Sequence, residues 1–260
     1  MTNLAFSTLG CSGAPLEAVL ELARSNDISG LELRTADDEF THIGLSATQR
    51  RELKNRIDDA GLEILAINSY VQICGVEEQP LDQHLDLAAD LGARGVRVFM
   101  RDDSSTDNAG TANSPTAGEF RAMDRITRAP KDVHILLETH DSHSAGARMA
   151  AFCRFLDRDI LDHNAKVIWD SAHTWSHGET PAESLELLKP WIDFLQIKDS
   201  DSTQNYKPVA IGTGDYPIAQ LLQAIQGTDY WLSLEWELKW HPHLPPLAEA
   251  LPATRTWIGV

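Results

Sequence analysis

Short apolar runs alternate with amphipathic segments along the whole chain. Eight runs read as strands: 3–7 (NLAFS), 30–34 (GLELR), 63–69 (EILAINS), 95–99 (GVRVF), 133–138 (VHILLE), 166–170 (KVIWD), 193–198 (DFLQIK) and 230–236 (YWLSLEW). They are short, rich in branched and aromatic residues, and mostly apolar at both odd and even positions. Strands covered on both faces of a parallel sheet carry that pattern. The segments between them read as helices. Residues 16–25 place Leu16, Val19, Leu20 and Ala23 on one face. Residues 46–60 open on a capping sequence, S-A-T-Q, and close at Gly61. Further helices are expected over 81–91, 119–127, 144–156, 181–188 and 218–225, with Pro181 in a first turn. Residues 102–118, rich in Ser, Thr, Asn, Asp and Gly, read as a loop rather than a linker, because the strand–helix rhythm resumes after them.

Eight strand–helix units in a chain of 260 residues predict a (β/α)8 barrel. A doubly wound open sheet is the runner-up. No compositional break divides the chain, so one domain over 1–260 is expected. A net charge of −17 argues against nucleic acid or an anionic membrane as partner, since both require a basic face. No stretch approaches the ~20 apolar residues of a membrane helix. The start, MTNLAFSTLGCSG, has neither a basic segment nor a long apolar core, so no signal peptide and a cytoplasmic location are expected. Cys11, Cys74 and Cys153 are far apart and read as free thiols, with Cys153 in the core.

A barrel of this kind works at the C-terminal ends of its strands. Those ends carry Glu138 and His140, then Asp170 and His173, then Gln196, Lys198 and Asp199, then Glu235 and Glu237. Three carboxylates and an amide oxygen converging on one point suit a divalent cation that prefers oxygen donors. Each residue also has an ordinary reading. Asp170 and Asp199 are well placed to cap the next helix, and Lys198 to pair with Glu235 or lie among solvated neighbours. Glu138 and Glu235 close very apolar runs, where a carboxylate must be paired or bound. Gly212–Asp215 (GTGD) lacks a full phosphate-loop pattern and reads as a turn.

The segments LLETH, VIWDSAHTW, LQIKD, IGTGDYP and LSLEWE resemble the xylose isomerase-like TIM-barrel family of sugar isomerases and epimerases, with hydroxypyruvate isomerase and tagatose 3-epimerase among its members. The resemblance implies one divalent metal held by Glu138, Asp170, Gln196 and Glu235, with His173 facing the substrate. Gln196 stands where His is commoner, which favours Mg or Mn over Zn or Co. It further implies proton abstraction next to a carbonyl through a metal-stabilised enediolate, with Glu138 and Glu235 exchanging the proton. His140, Lys198 and Trp236 are the candidate carbohydrate contacts, and a homodimer is the family-level expectation. The alternative is a dehydratase of the inosose or dehydroshikimate type. An endonuclease IV-like repair enzyme would need more His ligands than this chain offers. A non-catalytic sugar-binding barrel is the remaining reading.

Overall fold

The computed structural model describes residues 3–103 and 114–260, so most of the expected loop at 102–118 lies outside the described residues. Strands β1 (Leu4–Ser7), β2 (Gly30–Arg34), β3 (Glu63–Gln72), β4 (Gly95–Phe99), β5 (His134–Glu138), β6 (Ala165–Asp170), β7 (Ile192–Ile197) and β10 (Leu232–Leu234) form a closed barrel. A short antiparallel hairpin, β8 (Ser200–Asp201) with β9 (Lys207–Pro208), stands apart from it. Closure comes from β1 pairing in parallel with β10, Leu4 opposite Leu232 and Phe6 opposite Leu234. That pairing rules out the open sheet.

The helices follow the expected rhythm: α1 (Leu16–Ser25), α2 (Ala47–Asp59), α3 (Leu81–Leu91), α4 (Ala117–Arg128), α5 (Gly146–Asp159), α6 (Ser171–Ser176), α7 (Pro181–Leu188), α8 (Ile218–Ala224) and α9 (Leu247–Ile258). Ser46 and Gln49 make the reciprocal cap that S-A-T-Q suggests, and Thr116 with Glu119 makes another at α4. Two boundaries differ in a way that matters. The β7 strand stops at Ile197, leaving Lys198 beyond it, and β10 is three residues long rather than seven. No helix among the described residues is long and apolar enough to cross a membrane.

The buried apolar residues fall into two groups. One fills the space between strands and helices; the other is Ala5, Leu65, Ala66, Leu136, Ile168, Phe194 and Trp231. Alternate residues of a barrel strand point inward, so the second group is the floor of the barrel interior. On β2 and β4 the floor positions are glycines. A Cβ on Gly30 would lie 3.1 Å from Cε3 of the Trp231 ring, which fills that space. The next inward position on all eight strands is polar and buried: Ser7, Glu32, Asn68, Arg97, Glu138, Asp170, Gln196 and Ser233. An apolar floor thus carries a complete polar ring, and the candidate site is built on it.

Gly95 tests this packing. A Cβ there would overlap the His134 carbonyl oxygen and come within 2.8 Å of Leu136 Cγ and 2.9 Å of His134 Cβ. Gly95→Ala is expected to reach the upper part of the ~1–3 kcal/mol range for overpacking, because backbone gives way less readily than a side chain. The urea midpoint measures it; an unchanged midpoint would contradict so tight an approach of β4 to β5.

Candidate active site

The polar ring brings its strongest donors to one side. Ligand atoms of Glu138, Asp170, His173 and Glu235 all lie within 4.8 Å of one another, and Glu138, His140 and His173 form an overlapping set. Asp170 opens α6, and its Oδ1 accepts the backbone N–H groups of Ala172 and His173 at 3.0 and 3.1 Å. The capping role and the site role are therefore divided between two oxygens of one side chain. Oδ2 faces the Lys198 ammonium at 2.8 Å and His173 Nε2 at 3.5 Å.

Lys198 is the electrostatic hub. Its Nζ lies 2.6 Å from Glu235 Oε2 and also contacts Glu237, whose other oxygen is 3.2 Å from His241 Nε2. Burial opposes its charge, but Asp170, Glu235 and Glu237 outweigh that and hold the ammonium well above its ordinary pKa. Arg97 supplies the second cation, with Nη1 at 3.2 Å from Glu138 Oε2 and 3.6 Å from Glu235 Oε1. Its guanidinium stacks 4.4 Å from the Phe99 ring centre and donates from Nη2 to the Ser69 carbonyl at 3.0 Å.

Four carboxylates (Glu138, Asp170, Glu235 and Glu237) thus face two buried cations. Burial and then the neighbouring charges set the protonation of the group. Burial pushes Glu138 up to about 7, with Arg97 opposing and Glu235 adding to the rise. Burial, joined by Glu235 and Glu138, raises Asp170 despite Lys198. Glu235 and Glu237 stay below the usual carboxylate range because Lys198 overcomes their burial. His173 is kept neutral, first by burial and then by Lys198 and His140. For His140, burial disfavours the charge, yet Asp141 and then Glu138 lift its pKa to about 9. The His140 ring packs between Phe99 and His173, each with centroids at 4.7 Å.

The residues present fit a divalent cation. Glu138 Oε1 and Gln196 Oε1 are buried without a hydrogen-bond partner, as the ligand atoms of a cation would be. Gln196 lies opposite Asp170 in the β6–β7 register, and its Nε2 donates to Glu32 Oε2 at 2.8 Å. Such a donor set is mainly oxygen, with the imidazoles of His173 and His140 in reach.

Residues 20–257 match the family described as xylose isomerase-like TIM barrel. The chain belongs to this family. A 3-dehydroshikimate dehydratase of Bacillus anthracis is 26% identical over 240 residues, 84% of each chain. The crystal structure of the probable 3-DHS dehydratase of petrobactin synthesis from Bacillus anthracis superposes with a TM-score of 0.73, at 20% identity and 98% coverage of both chains. An L-ribulose 3-epimerase gives 0.76 at 19% identity, covering 100% of this chain and 94% of its own. The 3-keto-D-glucoside 4-epimerase of E. coli gives 0.73 at 13% identity and full coverage of both. The family thus holds both epimerases and a dehydratase on one barrel.

Within this xylose isomerase-like barrel, Glu138, Asp170, Glu235, His173, His140 and Lys198 come together at the mouth. Trp236 does not, which corrects its place as a carbohydrate contact. It is 1% exposed, packs in the outer core and donates from Nε1 to the Pro245 carbonyl at 2.8 Å. The reason is alternation: if Glu235 points inward, its successor points out. Asp199 is likewise structural, since its Oδ2 accepts from Gly212 and Gly214 at 2.8 and 2.9 Å and clamps the 212–215 turn. The thiols are unsuited to nucleophilic chemistry: burial pushes Cys11 up to about 12, with Glu39 adding to it, and Cys74 and Cys153 higher still. Arg97 and Glu32 are site residues that the strand-end pattern passes over. Their signal is a charge flanked on both sides by apolar residues, in GVRVF and GLELR.

Proposed function

We propose that this chain is an enzyme that moves a proton at a carbon next to a carbonyl in a polyhydroxylated small molecule, as a divalent-metal-dependent isomerase or epimerase. The convergence of Glu138 and Glu235 at the barrel mouth, beside Asp170 and His173, carries this reading. Glu138, Asp170, Glu235 and the Gln196 carbonyl oxygen would hold the metal, with His173 within reach; Mg²⁺ or Mn²⁺ suits these oxygen donors best. A bound divalent ion supplies Lewis-acid neutralisation of the charge that develops on the carbonyl oxygen.

The protein's own groups divide the rest of the work. Glu138 and Glu235 stand three strands apart in the barrel order, so each can serve a different face of a flat enediolate. Their protonation is pushed in opposite directions, Glu138 up and Glu235 down, which suits one acid and one base. Neutral His173 can donate to or accept from a substrate oxygen without a net charge. Lys198 and Arg97 hold negative charge near the reacting carbon. Beside Lys198 opens a cavity of about 680 Å³, lined in part by His173, Ser176, Lys198, Tyr206, Glu237 and His241. That is ample for a small carbohydrate, and its polar walls suit hydroxyl groups. No nucleic-acid partner is proposed, in keeping with the net charge of −17.

A dehydratase is the second reading, favoured by the 26% identity to a 3-dehydroshikimate dehydratase across 84% of both chains. Both reactions begin with the same proton abstraction and part afterwards. The isomerase returns a proton, whereas the dehydratase expels a neighbouring hydroxyl. The Mn²⁺-loaded protein, incubated in D₂O with a panel of ketoses, inososes and dehydroshikimate, is expected to place deuterium at one carbon beside the carbonyl. Unchanged product mass apart from that deuterium supports the isomerase; loss of water assigns the dehydratase. No exchange and no water loss across the panel would refute the proton-transfer reading.

A further inference from the structure

Gln196 is an amide, and an amide has two unlike ends. Whether it presents oxygen or nitrogen to the barrel mouth is decided by what its other end bonds. Its Nε2 donates to Glu32 Oε2 at 2.8 Å, while its Oε1 is buried with no hydrogen-bond partner. Glu32 is itself fully buried on β2. Its other neighbours are also donors: Asn68 Nδ2 at 3.0 Å to the same oxygen, and the Ser233 hydroxyl to Oε1. Asn68 reaches on to Ser7 Oγ at 3.4 Å, so the network joins β1, β2, β3, β7 and β10 within the polar ring.

We infer that Glu32 is a positioning residue that makes Gln196 an oxygen donor by occupying its nitrogen. The inference rests on the reading that Gln196 ligates a divalent cation. A carboxylate accepts and does not donate, so it discriminates between the two ends of the amide. The reversed amide would set an oxygen against the Glu32 carboxylate and turn an –NH₂ towards the cation. All three hydrogen bonds to Glu32 come from neutral donors. A glutamine can therefore stand on β7 without the site losing a donor, provided that β2 supplies the carboxylate beneath it.

The test is a double-mutant cycle on Mn²⁺ affinity, measured by calorimetry on chelator-stripped protein without substrate. Glu32→Gln keeps the volume but can accept or donate, so it no longer fixes the amide. It is expected to weaken Mn²⁺ binding about tenfold, the order of loss typical for a residue that orients a ligand. Gln196→Ala should weaken it to at least the same degree, and Glu32→Gln on that background should add less than about twofold. An equal loss in both backgrounds would overturn the inference, because Glu32 would then act without Gln196, while Gln196 remained a ligand. Unchanged affinity in Gln196→Ala alone would instead remove the ligand reading and this inference with it. Glu32→Asp stands in if Glu32→Gln does not fold. It keeps an accepting group one methylene shorter, and any loss it causes must likewise vanish on the Gln196→Ala background.

Discussion

Glu138→Gln abolishes proton exchange at the carbon beside the carbonyl, with a fall of roughly 10²–10⁴ in rate, the range ascribed to a positioned acid or base. Gln fills the same volume and keeps an oxygen towards the site, but it cannot take a proton. Glu138 is fully buried, its Oε1 has no hydrogen-bond partner, and burial raises its pKa to about 7. Removing the charge relieves desolvation but takes a partner from Arg97, 3.2 Å from Oε2, which keeps Glu235 at 3.6 Å, so a modest loss of stability is expected. The decisive comparison pairs the exchange rate in D₂O with the urea midpoint. A variant that is stable and still exchanges at the parental rate would take Glu138 out of the chemistry. A variant that is inactive because it is unfolded would show in the midpoint and would have to be replaced by Glu138→Asp.

Lys198→Met has the largest expected effect on stability. The ammonium lies among Asp170 at 2.8 Å, Glu235 at 2.6 Å and Glu237, all buried or nearly so. Methionine keeps the unbranched apolar stem, one atom shorter, and leaves the three carboxylates without their shared ammonium. Breaking a buried pair from one side costs about 3–5 kcal/mol. The pH dependence follows from the direction of the shifts. Burial raises Glu235 and Glu237, but Lys198 wins and holds both below the ordinary carboxylate range. Groups with depressed folded pKa values stabilise the fold above the unfolded value, about 4.3 for Glu, and lose that contribution as pH falls further. The gap between Lys198→Met and the parent is therefore widest near neutrality and narrows in acid. Saturating Mn²⁺ should raise the melting temperature of Lys198→Met more than that of the parent, since the ion replaces the missing positive charge. Equal gains in both proteins would mean that Lys198 and the ion do not share carboxylates.

The fold was legible because each barrel strand carries the apolar content that burial on both faces demands. The β2 and β4 spans, 30–34 and 95–99, can be read from sequence to the residue. Ends were less legible where a strand runs into the mouth. The run YWLSLEW looks like seven residues of strand, yet the strand spans only Leu232–Leu234, with the Glu235 N–H making a last bond to the Ile197 carbonyl of β7. The carboxylates of β5, β6 and β10 were legible as donors after apolar runs. Trp236 follows the candidate ligand Glu235 in sequence, but closeness in sequence does not set direction, and its ring packs in the outer core. The polar ring beneath the mouth stayed hidden for a different reason. Glu32, Arg97 and Ser233 each stand between apolar residues and Asn68 beside Ser69, and their meaning lies in which strands become neighbours across the barrel. That adjacency belongs to closure and not to any local stretch of sequence.

The divided carboxylate of Asp170 has a consequence for how damage at this site can be interpreted. One oxygen starts the helix that carries His173, and the other faces Lys198. Asparagine can keep the first contact but must then turn an amide group towards an ammonium; alanine gives up both. Asparagine therefore spares the cap and strikes only the contact with Lys198, whereas a defect in the alanine variant is a composite of two losses. The difference between the two variants measures what the helix start contributes by itself.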